Sequence, residues 1–303
     1  MTLENKVNKL SIIKKIRYFY AVAVVNVFKM DYSEAISICD DGLGQLKKSK
    51  INSIHVINLL KTQCLIHLNQ MDEALKSLKQ AEKNRVRKTH NLAPFSELYF
   101  FIHTRSGNYE YALQEYDKAI SGNFLSQSQI YFESWRQYGL LLLFLIKLDK
   151  IPPSELLERL KPKLRLGKLL NEMPEYSKDK AGLNLAIRIL HVLILLTSKK
   201  FEEFEEALVP LQSYIQRYKR HHPEIFRCDL MVKMLSLIPR VHYDAARTSW
   251  RARPFLEKML VPPEQLPLKV TEMEVIPYEK MWDYVIEFLG TLKRRPYSSK
   301  AAD

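Results

Sequence analysis

The amino-acid sequence predicts an all-α fold: an α-solenoid of stacked antiparallel helical hairpins, followed by an irregular helical C-terminal part. Two observations lead to this prediction: glycine is scarce, and one helical pattern recurs along the first part of the chain. Only 8 of the 303 residues are glycine, whereas sheets with tight turns and phosphate-binding loops both consume this residue. Hydrophobic residues make up 47% of the chain, which is enough to bury a sizeable core.

The recurring pattern occupies KMDYSEAISICDDGL (29–43), NQMDEALKSLKQAEK (69–83) and GNYEYALQEYDKAIS (107–121). Each segment has a central alanine, a large residue three positions earlier, a bulky residue four positions later and a small residue seven positions later. The central and small residues are Ala35, Ala74, Ala112, Gly42, Ala81 and Ala119. Positions 0, +4 and +7 lie on one stripe of a helix, so the small residues let a neighbouring helix approach closely.

An apolar stretch of helical length precedes each of these segments. The three stretches are IIKKIRYFYAVAVVNVF, IHVINLLKTQCLIHL and FSELYFFIHT, and a short polar turn joins each stretch to its alanine-centred segment. Each unit is therefore predicted to be a helical hairpin that buries its apolar face against the next hairpin.

This pattern resembles the tetratricopeptide repeat (TPR), in which paired antiparallel helices stack into a right-handed superhelix. The signature of the second helix matches in all three units, and Gly107 matches the glycine of the family's turn between helices. The first helices match less well, because Phe19 and Asn58 stand where the family has tryptophan and Phe100 stands at a small-residue position. The family's terminal proline is missing, and the alanine spacings of 39 and 38 exceed the usual repeat of about 34 residues. The resemblance covers residues 10 to about 121.

Beyond the three hairpins the sequence predicts continuing but degenerate hairpins over residues 122–260. FEEALVPLQSYIQRY (204–218) repeats the large residue, the alanine and the bulky residue of the pattern, but Pro210 interrupts it. The three regular hairpins are therefore predicted to lie within residues 1–121.

Residues 261–292 are predicted to form an extended segment and a capping helix. Prolines and the alternation in LKVTEMEVI favour an extended chain over 261–277, lying along the solenoid. YEKMWDYVIEFLGTL (278–292) has the pattern of an amphipathic helix, and repeat arrays need a terminal cap. KRRPYSSKAAD (293–303) is expected to be a disordered tail.

Cysteine use and hydropathy favour the cytoplasm. The cysteines Cys39, Cys64 and Cys228 are few and form no CxxC pair, which is typical of buried thiols in a reducing compartment. We expect no signal peptide, and the longest apolar runs are about half of the roughly 20 residues that a spanning helix needs.

The sequence offers no persuasive catalytic motif, so we expect a non-catalytic protein without cofactor or metal. DDGLGQL lacks the third glycine of a nucleotide-binding loop and follows no strand. HHPE (221–224) lacks metal-ligand spacing, and the glutamates of FEEFEEAL surround a helix instead of facing each other across a cleft.

The TPR resemblance implies a protein- or peptide-binding scaffold or adaptor whose groove is lined by first helices. Carrying over the family's groove positions gives Gln63, His67, Glu97, Phe101 and Arg105. These side chains would offer hydrogen bonds, an apolar contact and a cation for a carboxylate. The competing possibility is that the C-terminal helices fill this groove.

Charge suggests an alternative function. The formal net charge is +13, and basic strings such as KNRVRKTH (83–90), KPKLRLGK (161–168) and RTSWRAR (247–253) recur along the chain. One interpretation is a lysine-rich surface with cations that complement helix C-termini. The other is a nucleic-acid-associated protein, in which Trp250 would stack on bases and the strings would bind phosphates. The basic residues concerned are Arg85, Arg87, Lys88, Lys161, Lys163 and Arg165. A peptide-sensing regulator is a further alternative.

Overall fold

The structure of the protein is a computed structural model that describes residues 10–46, 54–83, 92–122, 129–171, 183–219, 222 and 225–292. All regular structure within these residues is helical, which confirms the all-α prediction for this part of the chain. The predicted disordered tail, 293–303, lies outside the described residues. Among the described helices, none combines the length and the apolar character needed to cross a bilayer.

Helices follow one another with short connections throughout the described chain. The first eight are α1 (Ile12–Phe28), α2 (Tyr32–Leu46), α3 (His55–His67), α4 (Met71–Lys83), α5 (Leu92–Arg105), α6 (Tyr109–Ser121), α7 (Gln129–Lys147) and α8 (Glu155–Leu160). The others are α9 (Leu166–Asn171), α10 (Leu183–Thr197), α11 (Phe201–Tyr218), α12 (Phe226–Leu235), α13 (Leu237–Arg240), α14 (Ala245–Met259), a 3₁₀ turn (Pro263–Gln265), α15 (Lys269–Met273) and α16 (Tyr278–Thr291).

The chain forms two compact units. The first unit contains residues 1–139, 153–162 and 261–275, and the second contains 140–152, 163–260 and 276–303. Residues 261–275, which lie far from the repeats in sequence, therefore belong to the same unit as the repeats.

Neighbouring helices pack in pairs in the first unit. Helix α1 packs on α2, α3 on α4 and α5 on α6, and each pair also contacts the next through α2 on α3 and α4 on α5. The first helices of successive pairs contact each other as well, α1 with α3 and α3 with α5.

Small residues lie where these helices cross. Ala35, Ala74, Ala81, Ala112 and Ala119 have no exposed surface. Gly42 is also buried, and the ring of Phe19 from α1 lies directly over it.

One turn geometry ends the first helix of each pair. The second residue after the helix has positive φ, its N–H donates to the carbonyl three residues earlier, and the next N–H donates to the carbonyl five residues earlier. This double hydrogen bond satisfies carbonyls that a helix end would otherwise leave unpaired. The positive-φ residues are Met30, Asn69, Gly107, Asp149 and Lys199. The same turn thus recurs after α7 and α10, where the sequence pattern has decayed, although the sequence identifies it at Gly107 alone.

The segment 261–277 is not extended as the sequence predicted. It contains the 3₁₀ turn and the short helix α15. Leu266, Val270 and Met273 follow a helical i, i+4, i+7 spacing, and all three are buried. Burial of this stripe within the first unit favours a helical turn. The alternation in LKVTEMEVI had suggested an extended chain instead.

In the second unit, α10 packs on α11, while α12 packs on α14 and α14 on α16. The guanidinium of Arg227, buried on α12, donates to the carbonyl of Met259 and to a carboxylate oxygen of Glu279 on α16. Met281, Trp282, Val285, Phe288 and Leu289 of α16 are buried, as its amphipathic pattern predicts.

Candidate binding groove

The groove residues His67 and Arg105 occupy equivalent places in successive helix pairs. Each is two residues before the positive-φ residue of its turn, Asn69 and Gly107 respectively. Both side chains bind one stretch of the same chain, residues 261–275, which we call the cis segment. The surface that holds it is the segment groove, formed by α2, α3, α5 and the first part of α7.

His67 binds the cis segment with both ring nitrogens. Its Nε2 lies 2.7 Å from the carbonyl oxygen of Pro263 and 3.0 Å from that of Leu266, and its Nδ1 lies 2.5 Å from the hydroxyl of Thr271. Because carbonyls can only accept, Nε2 carries the proton, and in the neutral ring Nδ1 accepts from the Thr271 hydroxyl. Burial is the main reason why the pKa of His67 lies below its ordinary value, and this favours the neutral ring.

Tyr32 supports the same part of the cis segment from α2. Its ring packs on the imidazole of His67 at a centroid distance of 4.3 Å, and its hydroxyl donates to the carbonyl of Leu266 at 2.6 Å. Burial raises the pKa of Tyr32 to about 12, so the hydroxyl keeps its proton and remains a donor. The carbonyl of Leu266 therefore accepts from two different helices.

Arg105 binds the other end of the cis segment. Its Nε donates to the carbonyl of Val275 at 3.1 Å and its Nη2 to the carbonyl of Glu274 at 2.9 Å. A third donor, Nη1, reaches the carbonyl of Ile66 at the end of α3, at 3.4 Å. The cation thus joins two neighbouring hairpins to the segment by hydrogen bonds to main-chain oxygens.

Gln137 of α7 completes the row of donors. Its buried side-chain amide donates to the carbonyl of Met273 at 3.1 Å. Gln137 lies beyond the recognisable repeats, so no sequence pattern marks it as a groove residue. Tyr32 is the large residue three positions before Ala35, a pattern that indicates packing and not binding.

The other predicted groove residues do not bind the segment in the contacts described. Glu97 accepts a hydrogen bond from the hydroxyl of Tyr138, and Phe101 is buried with its ring edge-on to the same tyrosine. Gln63 is exposed. The family's groove positions therefore divide into two that hold the cis segment, two that pack on α7 and one on the surface.

Apolar side chains seat the cis segment between these hydrogen bonds. Leu266, Val270, Met273 and Val275 are each less than a tenth exposed. Leu268 packs beside Tyr32, at the cluster that Tyr32 forms with Ala35 of α2 and Cys64 of α3. The groove thus offers apolar pockets for spaced side chains and donors for the backbone between them.

The basic strings are only partly described. Arg85, Arg87 and Lys88 lie outside the described residues. In the first unit, Lys161 is exposed and forms an ion pair with Glu158, three residues earlier. In the second unit, Lys163 and Arg165 are exposed.

The candidate catalytic and metal-binding clusters of the sequence have plain structural explanations in the described residues. Of HHPE, His222 stacks on Tyr218 with a centroid distance of 4.0 Å, and the other three residues lie outside the described part. The glutamates of FEEFEEAL are exposed on α11. Burial raises the pKa of the thiols of Cys39 and Cys64 to about 12, which keeps them protonated and weakly nucleophilic. Within the described residues, no three His, Cys, Asp or Glu side chains are placed to hold a metal ion.

Comparison with known proteins returned no matching family model, no matching curated protein and no matching solved structure. A functional conclusion must therefore be drawn from the residues and contacts of this chain.

Proposed function

We propose that this protein is a non-catalytic scaffold of TPR-like stacked hairpins that binds a peptide segment of a partner protein in the segment groove. The observation behind this proposal is the set of hydrogen bonds from Tyr32, His67, Arg105 and Gln137 to main-chain carbonyls of the cis segment. A peptide-binding surface requires hydrogen-bond donors to the peptide backbone and pockets for its spaced apolar side chains. The buried free thiols fit a reducing, cytoplasmic setting.

In this proposal the cis segment acts as an internal competitor. A partner peptide gains access only to the fraction of molecules in which the groove is vacant, and its apparent dissociation constant rises in inverse proportion to that fraction. The preferred partner resembles the cis segment: apolar residues with the spacing of Leu266, Val270 and Met273, preceded by proline.

The test uses a fluorescent synthetic peptide of residues 261–277 and the full-length protein. Leu266→Ser weakens the cis segment, because it places a hydroxyl in an apolar pocket. We expect the peptide to bind this variant with higher affinity than the wild-type chain in fluorescence anisotropy. Adding Arg105→Ala should then reduce the affinity by about tenfold or more, since a half-buried multidentate donor is lost.

Gln63→Ala is the matched control, because Gln63 is an exposed side chain on α3, the helix that carries His67. It should leave peptide affinity unchanged. If the Leu266→Ser protein keeps its helical circular dichroism but binds no peptide, the cis segment is a permanent structural element and the proposal is wrong. Leu266→Ala provides the same comparison with a smaller perturbation.

A second candidate function, association with single-stranded nucleic acid, is favoured by the surface of α14. Trp250 is 76% exposed, and Arg247 and Arg251 beside it in sequence are exposed too. An exposed indole among guanidinium groups can stack on a base while the cations bind phosphates, and stacking contributes about 1–3 kcal/mol per base.

Labelled oligothymidylate binding at several salt concentrations tests this alternative. A binder of Z phosphates on a single strand loses affinity with a log–log slope of about −0.7Z. Trp250→Ala should weaken such binding, and charge reversal of Arg247 and Arg251 should flatten the slope. The same readout with charge reversal of Lys161, Lys163 and Arg165 tests the string that the sequence suggested.

A further inference from the structure

Helix α1 carries an unusual concentration of exposed apolar side chains. Phe28 is 83% exposed, Ile13 56% and Val25 50%; Ile12 and Tyr20 are also exposed, as is Met30 in the turn that follows the helix. These residues supply more than half of the large apolar side chains that are exposed in the described part of the chain. Ile13, Tyr20 and Phe28 share a helical stripe by their spacing, and exposed apolar side chains gathered on one face of a helix mark an interaction site.

The equivalent face of the next first helix is covered. Val25 and Phe28 correspond to Cys64 and His67 of α3, 39 residues later, which are almost fully buried. Helix α2 provides part of the cover, since Tyr32 and Ala35 form a cluster with Cys64 and the ring of Tyr32 packs on His67, and the cis segment covers the ring nitrogens of His67. In the same way α4 packs on α5. Within the described residues, no second helix covers this face of α1 as α2 covers the equivalent face of α3.

The charge of α1 indicates what kind of partner helix fits on its exposed face. Helix α1 contains Lys14, Lys15 and Arg17 and no acidic residue, and Lys14 and Arg17 are exposed. Helix α2, which covers the equivalent face of α3, has the sequence YSEAISICDDGLGQL, with acidic residues and no basic ones. Two copies of α1 facing each other would bring like charges together, which disfavours a self-complementary contact.

We infer that the exposed face of α1 docks an acidic amphipathic helix of a partner protein, in the position that α2 takes on α3. The partner helix would place a large side chain and a small one over Phe28 and Val25, as Tyr32 and Ala35 lie over His67 and Cys64. This site is separate from the segment groove, so the two can be tested independently.

The probe is a labelled synthetic peptide of residues 29–46, which reproduces α2 with its acidic residues, and it is titrated with the full-length protein. We expect saturable binding in fluorescence anisotropy. The double variant Val25→Ser/Phe28→Ser should weaken it by about tenfold or more, since it removes both apolar contacts. Lys14→Glu/Arg17→Glu should weaken it too and should reverse its salt dependence, because added salt then screens a repulsion.

Val209→Ser is the matched control, because Val209 is 62% exposed on α11 in the second unit. It should bind the peptide as wild type does, and a scrambled peptide of the same composition should not bind. Equal binding of both peptides, or of the wild type and the Val25→Ser/Phe28→Ser variant, would overturn the inference.

Two other occupants of the α1 face have their own readouts. Binding to phosphatidylcholine–phosphatidylserine vesicles that requires Phe28, without peptide binding, would assign the face to membranes and overturn the inference. A dimer in light scattering that the Val25→Ser/Phe28→Ser variant abolishes would assign it to a second copy and overturn it as well. Neither result bears on the segment groove, which the 261–277 peptide tests separately.

Discussion

The ring of Phe19 lies so close to the backbone of Gly42 that its Cγ is 2.7 Å from the position that a Cβ on Gly42 would occupy. Two helices of the first hairpin therefore approach each other through a glycine on one and an aromatic ring on the other. Ala81 and Ala119 hold the corresponding place in the next two hairpins and are fully buried. The position is buried in all three helix pairs, and the close contact at Gly42 can be tested by adding a single methyl group.

Gly42→Ala should destabilise the protein by about 1–3 kcal/mol, because the new methyl group overpacks against Phe19 and the ring cannot move without shifting its helix. Gly44→Ala in the same helix is the control, since nothing lies within 4 Å of a Cβ there. That change should stabilise by about 0.5–1 kcal/mol through helix propensity. Urea unfolding followed by circular dichroism measures both, and a Gly42→Ala protein as stable as the Gly44→Ala protein would contradict the close contact.

Ala74→Leu tests the helix crossing in the second hairpin. Ala74 has no exposed surface, so the larger side chain should push apart packed helices at a cost of about 1–3 kcal/mol. Lys76→Leu, two residues away on the exposed side of α4, should change stability by less than about 0.5 kcal/mol. Equal denaturation midpoints for the two variants would show that the repeat register is wrong.

The positive-φ turns can be tested by replacing a non-glycine residue with glycine and a glycine with alanine. Lys199 has a φ of 60° and is exposed, so Lys199→Gly should relieve backbone strain and raise stability by about 0.5–1 kcal/mol. Gly107 has a φ of 76° and open space around its Cβ position, so Gly107→Ala should lower stability by about 1 kcal/mol through backbone strain alone. Thermal unfolding of both variants is the measurement, and shifts of the same sign would disprove a shared turn conformation.

The stability of the first unit should depend on pH through His67. Burial, with a contribution from the charge of Arg105, lowers the pKa of His67 below its ordinary value of 6.5, while the carbonyls of Pro263 and Leu266 and the charge of Glu264 oppose the shift. Because the pKa of His67 is lower in the folded protein than in the unfolded chain, the unfolded chain binds the proton more tightly. The stabilisation is therefore fully present above about pH 6.5 and is lost as the pH falls below that value.

His67→Gln isolates this effect, because the glutamine amide can donate to the same carbonyls without titrating. The wild-type protein should lose stability relative to the His67→Gln protein as the pH falls from about 7.5 to 5. His103 and His191, whose pKa values burial also lowers, are present in both proteins and cancel in the difference. Parallel stability curves for the two proteins would rule out His67 as a titrating contact of the cis segment.

The helical pairs could be predicted from local sequence because spacing along a helix sets which residues share a face. The alanines 39 and 38 residues apart placed the second helices correctly, and each is buried where a neighbouring helix crosses. The turns at Met30, Asp149 and Lys199 could not be predicted in the same way. At these positions hydrogen bonding to the helix end and packing of the pair outweigh the strain of a left-handed side chain, so no glycine marks them.

Local sequence is enough to predict that this chain is helical, that its first part is built from paired helices, and that His67 and Arg105 stand at equivalent places in successive pairs. Local propensity and periodicity suffice for these conclusions, because each depends on residues within one or two turns of a helix. Long-range packing, by contrast, is what brings residues 261–275 of the same chain against both side chains. For His67 the contact joins positions about two hundred residues apart. Its acceptors are backbone carbonyls, which every residue has, so no residue type in the sequence indicates the contact. The short helix α15 has the same origin, since burial in the groove and not local propensity selects its conformation.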